Sequence, residues 1–249
     1  MTRTFLWTLL ALCAAALNAQ GEEPAAEPSP WCVKVDGSVW SKYVWRGIDL
    51  TDDPVFQPSG TIGYRGLSVN VWANMELTGV NDHRREWNET DYTLDYSFSP
   101  VEGVSGAVGV IHYDFPNTDV PATTELYVAA GLDVLLQPRI TLYRDVDESD
   151  GVYVAFTMQH GIPLRQNAEL NLIGGIGVGS KANNSYNYGS VENSAITDGF
   201  IRAELPVTLR EHVTFTPSVT ASALLDGAVR AAMPHDDNVF YGATLSFDF

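Results

Sequence analysis

Apolar and polar residues alternate along most of the chain from residue 33 onward. A clear example begins at Val213, where apolar side chains alternate with Thr and Ser as far as Ser222. Successive side chains of a strand point to opposite faces, so this period of two predicts strands with one apolar and one polar face. The predicted strands are Val33–Gly47, Val55–Tyr64, Leu67–Leu77, Glu89–Pro100, Val104–Phe115, Thr123–Val134, Arg139–Arg144, Val152–His160, Ala168–Gly179, Asp198–Leu209, Val213–Leu224 and Asn238–Phe249. They predict an all-β fold of about 12 strands, most of them about 10 residues long, as a tilted membrane strand requires.

The connections between these strands alternate between long and short. The first, third and later odd connections are long and polar, such as Thr78–Asn88 and Ser180–Thr197. The even ones are short, such as Arg65-Gly66 and Arg210–His212. An even-stranded outer-membrane barrel has tight turns at its periplasmic end and long loops at its extracellular end. The pattern therefore predicts a transmembrane up-and-down antiparallel β-barrel, with the odd connections outside the cell.

The composition of the polar faces distinguishes a membrane barrel from a soluble one, whose apolar residues would point inward. The polar faces carry mainly Thr, Ser and Asn rather than the Lys and Glu of a solvent-exposed strand. Aromatic residues also cluster at strand ends, where a membrane barrel has its interfacial girdles. We expect girdle positions at Tyr43, Trp45, Tyr64, Phe98, Tyr113, Phe115, Phe247 and Phe249.

The two ends of the sequence indicate export. Residues 1–19 begin with a positively charged segment, continue with an uncharged apolar run and end in small residues, as secretory signal peptides do. We expect cleavage after Ala19. Residues 20–32 form a Pro- and Glu-rich linker, and residues 33–249 form the predicted barrel. The last strand resembles the C-terminal signature of bacterial outer-membrane barrels, which implies that Phe249 is read by the barrel-assembly machinery. We therefore expect a location in the bacterial outer membrane, with lipid and the assembly machinery as partners.

Charge and cysteine content exclude some classes. The chain has 14 Lys and Arg against 31 Asp and Glu, a formal charge of −17, which argues against nucleic acid as a partner. Of the two cysteines, Cys13 lies in the predicted signal peptide, so Cys32 has no internal disulfide partner after cleavage.

Several motifs resemble the TorF-like family of outer-membrane porins. These are Ser41–Ile48 with its Trp-Arg-Gly segment, Pro54 to Gly60, Glu89 to Tyr96, Ile111–Pro116, Thr124–Tyr127 and Leu142 to Tyr153. The likeness covers most of the predicted barrel. It implies the barrel fold and a channel role, and it brings no agreed functional residues. The chain departs from the family pattern at Asp49, where Ser or Thr is expected, and at Arg144, where Tyr is usual.

The sequence offers little to support catalysis, a cofactor or a metal. The acidic stretch Asp145–Gly151 has the wrong spacing for an EF-hand, because its third acid and its Gly come one place late and Phe156 stands at position 12. None of the five histidines, at positions 83, 112, 160, 212 and 235, stands two residues before a Ser. We predict no enzyme activity, no cofactor and no metal site.

The polar faces of the strands supply the candidate functional residues. Charged residues at membrane depth should face the lumen. The inward-facing candidates are Lys34, Asp36, Lys42, Arg46, Glu76, Asp91, Asp95, Glu125, Asp133, Glu169, Arg202 and Glu204, with acids outnumbering bases eight to four. The sequence predicts a porin for small polar or cationic solutes. Two alternatives stay open: a non-conducting barrel whose loops bind a partner, and a lipid-modifying enzyme.

Overall fold

The fold is a closed antiparallel barrel. The computed structural model describes residues 29–81, 84–189 and 191–249, and within these ranges the chain forms fifteen strands and two short helices. The strands are β1 (Trp31–Trp40), β2 (Tyr43–Trp45), β3 (Ile48–Thr51), β4 (Val55–Tyr64), β5 (Leu67–Glu76), β6 (Trp87–Val101), β7 (Val104–Asp114), β8 (Thr123–Leu132), β9 (Arg139–Asp145), β10 (Val152–Arg165), β11 (Ala168–Gly179), β12 (Ala195–Glu204), β13 (Val207–Arg210), β14 (Val213–Leu224) and β15 (Asp237–Asp248). The helices are α1 (Lys181–Asn187) and α2 (Gly227–Ala232).

The barrel wall consists of twelve strands in the described part of the chain. Neighbours in sequence pair in antiparallel fashion from β4 to β12, and β15 pairs with both β14 and β1, which closes the ring. β12 and β13 act as one wall strand, since both pair with β11 and β14. They are separated at Pro206, which has no N–H to donate to the ladder. The predicted fold class is confirmed.

The outer surface of the wall is apolar and the inner surface is polar. Outward-facing residues such as Val69, Leu94, Val128 and Leu142 have between 41 and 50% of their surface exposed. Inward-facing residues include buried polar side chains, among them Ser38, Gln57, Asn74, Thr141 and Thr220. This is the arrangement of a transmembrane barrel, because water lies inside and hydrocarbon outside.

The two ends of the barrel differ in their connections, as predicted. The long-loop end carries the connections at residues 41–54, 77–86, 115–122, 146–151, 180–194 and 225–236. The short-turn end carries residues 65–66, 102–103, 133–138, 166–167 and 211–212, together with Trp31 and Phe249. None of the described helices is long and apolar enough to cross a membrane.

The first long connection contains the main departure from the predicted strands. The first wall strand ends at Trp40, whereas the sequence pattern predicts that it continues to Gly47. Residues 43–51 instead form the separate two-stranded sheet of β2 and β3, which we call the lumen hairpin. Because the alternation of residues persists into β2, sequence periodicity does not separate β2 from β1.

Three of the eight predicted girdle residues lie away from the membrane interface. Tyr64 and Phe98 are exposed near the short-turn end, as expected, and Phe249 is also exposed there. Tyr43 and Trp45 belong to the lumen hairpin, and Tyr113 is an inward-facing residue that is only 7% exposed. These three residues line the barrel interior rather than the membrane interface.

The predicted signal peptide, residues 1–19, lies outside the described residues. The predicted linker, residues 20–32, overlaps them at its end, where β1 begins at Trp31. Cys32 is half-buried, has no disulfide partner within the described residues and stands opposite Gly63 in the β1–β4 pairing.

Candidate functional site

The lumen hairpin turns at Arg46 and Gly47. Both residues have positive φ angles, 46° and 79°, which is typical of the two-residue type I′ turn that suits the twist of a hairpin. A Cβ atom at position 47 would lie 2.7 Å from Leu224 Cδ2 and 2.9 Å from Asp198 Cβ. The hairpin tip therefore packs closely against the wall formed by β12 and β14, and only glycine fits there without displacement.

Arg46 reaches the wall opposite β1. Its guanidinium donates two hydrogen bonds to the carboxylate of Glu125 on β8, at 2.8 and 2.7 Å. The guanidinium carbon also lies over the rings of Trp45, Tyr143 and Tyr153, 4.3, 4.9 and 4.1 Å from their centroids. In the ring of twelve strands β9 lies diametrically across from β1, so the hairpin crosses the lumen.

The base of the hairpin is held by Lys42. Its ammonium contacts Asp49 at 2.9 Å, Asp52 at 2.5 Å and the side-chain oxygen of Asn238 at 3.0 Å. Burial by itself lowers the pKa of Lys42, but its hydrogen bonds to Asp52 and Asp49 outweigh this, so the pKa is raised. The hydrogen bond from Lys42 lowers the pKa of Asp52.

This anchor keeps its charges over a wide pH range. Because the folded-state pKa of Asp52 is depressed, its stabilising contribution is present above the ordinary value of about 4 and is lost only at lower pH. Asp49, Asp52 and His235 lie within ligating distance of one another. Lys42 contacts one oxygen of each carboxylate in this group, whereas Asp49 Oδ1 is buried and has no hydrogen-bond partner among the described residues.

Loops at the long-loop end cover one side of the hairpin. Ile48 at the hairpin packs in a buried apolar cluster with Tyr188, Val191, Leu224 and Val229. The hydroxyl of Tyr188 donates a hydrogen bond to the backbone oxygen of Arg46 at 3.0 Å. The hairpin is thus held by the loops of the long-loop end as well as at its base and tip.

A cavity of about 530 Å³ remains between the hairpin and the wall from β5 to β9. We call it the acidic vestibule. Its lining includes four carboxylates, those of Glu76, Glu89, Glu125 and Asp145. Apolar and aromatic residues form the remaining walls, among them Tyr43, Trp45, Ile48, Leu50, Phe115, Val120 and Tyr186. The combination of negative charge and ring faces suits a cation with an apolar body.

Three of these carboxylates are occupied by partners within the protein. Glu125 binds Arg46 and also accepts a hydrogen bond from Tyr113 at 2.9 Å. Asp145 accepts from the Thr123 hydroxyl at 2.8 Å and from the backbone N–H groups of residues 147 and 149. Glu89 interacts with the hydroxyl of Tyr43.

Glu76 is the exception. Only 1% of its surface is exposed, and its Oε1 accepts hydrogen bonds from Thr51, Asn81 and Asn88 at 3.1, 2.8 and 2.9 Å. Its Oε2 has no hydrogen-bond partner among the described residues. A buried carboxylate oxygen without a partner is costly, so this atom is notable in a wall that faces a cavity.

The other predicted lumen residues are spread along the barrel. Asp91 lies inward on β6 opposite Trp72, and its Oδ1 likewise has no partner in the part of the chain that the structure describes. Asp95 accepts hydrogen bonds from Ser97 and from Tyr127, at 2.7 and 2.5 Å.

The remaining predicted positions lie farther from the vestibule. Arg202 binds Thr220 at 2.9 Å and Glu204 at 3.5 Å, and lies over the ring of Trp40. Asp133 does not line the lumen, since it follows β8 in an exposed turn at the short-turn end. Inward-facing Lys34 and Asp36 form an ion pair at 3.2 Å.

Phe249 lies just after β15, with 65% of its surface exposed. Its backbone exchanges two hydrogen bonds with Val33, at 2.8 and 3.1 Å. Its ring stacks with that of His212. Its role as an assembly signal stays a prediction.

Sequence reasoning missed three carboxylates of the interior, Glu89, Asp145 and Asp198. The signal was available for two of them: Glu89 shares the face of Asp91, and Asp198 shares the face of Arg202. Asp145 begins the acidic stretch Asp145–Gly151, yet it is buried at the end of β9. The rest of that loop is open, with Arg144 and Asp150 paired at its surface.

Three of the four described histidines have identified neighbours, and none of these neighbours is a serine. His112 lies 3.1 Å from the hydroxyl of Thr124, His212 stacks on Phe249, and His235 lies near Asp49. His83 lies outside the described residues.

Comparison with known proteins finds the fold among outer-membrane porins. No protein-family model and no curated protein sequence matches the chain. The KdgM porin is similar over 87% of this chain and 99% of its own, with 9% identity and a TM-score of 0.56. The NanC porin is similar over 86% and 98%, with 12% identity and a TM-score of 0.52. An outer membrane channel from Pseudomonas putida F1 is similar over 93% and 100%, with 9% identity and a TM-score of 0.53.

Proposed function

We propose that the chain is an outer-membrane channel that admits small polar or cationic solutes. The observation that carries this proposal is a closed barrel with an apolar exterior and a charged, polar interior that contains the acidic vestibule. Charged residues inside a barrel are stabilised by water or by one another, and a ring of acids favours cations. On this proposal the partners are membrane lipid, the barrel-assembly machinery and the permeating solutes.

The negative charge of this lumen is the opposite of what a pore for an acidic solute would need. One structure of the KdgM porin was solved in complex with disordered oligogalacturonate, which carries carboxylates. Here the vestibule itself presents four carboxylates, and its neighbouring base, Arg46, is bound to one of them. We therefore propose a preference for cations over anions.

A non-conducting barrel is the second candidate, because the lumen hairpin crosses the interior and is fixed at both its base and its tip. Single-channel recording separates the two functions. The wild type is compared with a variant in which residues 43–51 are replaced by a short Gly-Ser linker. A channel gives current in the wild type and a larger current in the variant. Current in the variant alone identifies the hairpin as a plug, and no current in either rejects conduction.

A further inference from the structure

We propose that the acidic vestibule is a binding site for organic cations, in which the Oε2 atom of Glu76 accepts an ammonium group. This inference deepens the proposed channel function by naming the class of solute and the residue that recognises it. It also stands apart from conduction, since a site at the long-loop end can bind a solute whether or not the lumen passes it on.

The unpartnered oxygen is the first reason. Thr51, Asn81 and Asn88 all bind Oε1 of Glu76, and these donors fix the carboxylate in one orientation. Within the described part of the chain Oε2 has no partner, and it belongs to a residue that lines the cavity and is 1% exposed. A positively charged donor entering the cavity would satisfy this oxygen with a charge-assisted hydrogen bond.

The apolar lining of the cavity indicates that the ligand carries a hydrocarbon part beside its charge. Trp45, Ile48, Leu50, Phe115 and Val120 contribute apolar or aromatic surface beside the carboxylates. A cavity of about 530 Å³ is within the size range of sites for small organic molecules. Ring faces attract an ammonium group, and the apolar walls gain from burying its hydrocarbon part.

The arrangement does not suit a metal ion. Calcium takes six to eight oxygen ligands. Glu125, Asp145 and Glu89 already have partners, and among the described vestibule residues one carboxylate oxygen, that of Glu76, is buried and unpartnered. In the described part of the chain, the side chains that lie within ligating distance of one another are those of Asp49, Asp52 and His235. These residues lie outside the vestibule lining. A single ammonium therefore fits better than an inorganic divalent cation.

Calorimetry with benzylammonium chloride on the refolded protein in detergent tests the site. Benzyl alcohol and sodium benzoate serve as neutral and anionic probes of similar size. We expect saturable binding of benzylammonium, and binding of the other two that is about tenfold weaker or absent. Equal binding of benzylammonium and benzyl alcohol, or no binding of benzylammonium, overturns the proposal.

Glu76→Gln tests the residue, because the amide keeps an oxygen for the three donors while removing the charge and the unpartnered oxygen. We expect about a tenfold loss of benzylammonium affinity or more. Glu169→Gln is the matched control, since it makes the same change on β11 away from the vestibule, and its affinity should equal that of the wild type. Equal losses in both variants, or none in Glu76→Gln, contradict the assignment.

A series of alkylammonium ions tests the wild type even if Glu76→Gln fails to fold. Hexylammonium should bind at least about tenfold more tightly than methylammonium, because the added methylene groups are buried against the apolar lining. Equal affinities reject the site. Bilayer recordings then separate the two proposals. If the protein conducts but does not bind benzylammonium, only the binding site is rejected. If it binds benzylammonium but does not conduct, only the channel function is rejected.

Discussion

Arg46 is the residue that connects the hairpin to the far wall of the barrel. It is paired in bidentate fashion with Glu125, and the two side chains are only 9 and 6% exposed. It also lies against three aromatic rings. A buried pair of this kind neutralises the carboxylate, so Arg46 masks one of the four vestibule acids rather than presenting a free positive charge to a solute.

Arg46→Ala should make the channel more cation-selective, since Glu125 then faces the lumen without its partner. The cost in unfolding free energy should be about 3–5 kcal/mol, because a buried charge loses its partner. Reversal potentials under a KCl gradient measure the selectivity. For the stability change, Arg202→Ala is the control, since its pair with Glu204 is more exposed and its loss should cost at most about 1 kcal/mol. An unchanged or more anionic reversal potential in Arg46→Ala would contradict this reading.

At the scale of elements, the wall strands follow from sequence and the hairpin does not. Each wall strand alternates between an apolar outer and a polar inner face, so its position is encoded locally. Tyr43 to Trp45 continue that alternation, yet they leave the wall. Their position depends on contacts with Glu125 and Leu224, which are distant in sequence. Inward-facing charges could likewise be predicted from alternation, but their partners could not.

Gly47→Ala should loosen the lumen hairpin. The substitution places an L side chain at positive φ and drives its Cβ into Leu224 and Asp198, so the tip should move off the wall and single-channel conductance should rise. Gly103→Ala is a matched control, because Gly103 also has positive φ, 78°, but has open space around it. Identical conductances for the two variants would show that the close approach at the tip does not set the pore.

On the scale of the whole molecule, the two ends of the barrel are unequal. The long-loop end holds the hairpin, both helices and the acidic vestibule. The short-turn end has brief turns, together with the start of β1 and the end of β15. The vestibule therefore lies on the side of the long loops. In outer-membrane barrels that side is the cell exterior.

An epitope inserted after Glu192 should be labelled on intact cells, because this exposed residue lies in a long loop. An epitope after Glu211 in the turn between β13 and β14 should require permeabilised cells. Antibody labelling before and after permeabilisation measures both. Labelling of the Glu211 epitope on intact cells would show that the orientation is the reverse, with the vestibule on the periplasmic side.

The crossing hairpin also constrains the order in which the protein can fold. Its contacts join residues 46 and 47 to positions 125, 198 and 224, so they can form only after most of the chain has come together. Long-range contacts of this kind are formed late, because loop-closure entropy must be overcome first. During refolding, the shift in electrophoretic mobility that accompanies ring closure should precede the change in Trp45 fluorescence, measured as the difference between wild type and Trp45→Phe. Simultaneous changes would mean that the ring closes around a hairpin already in place.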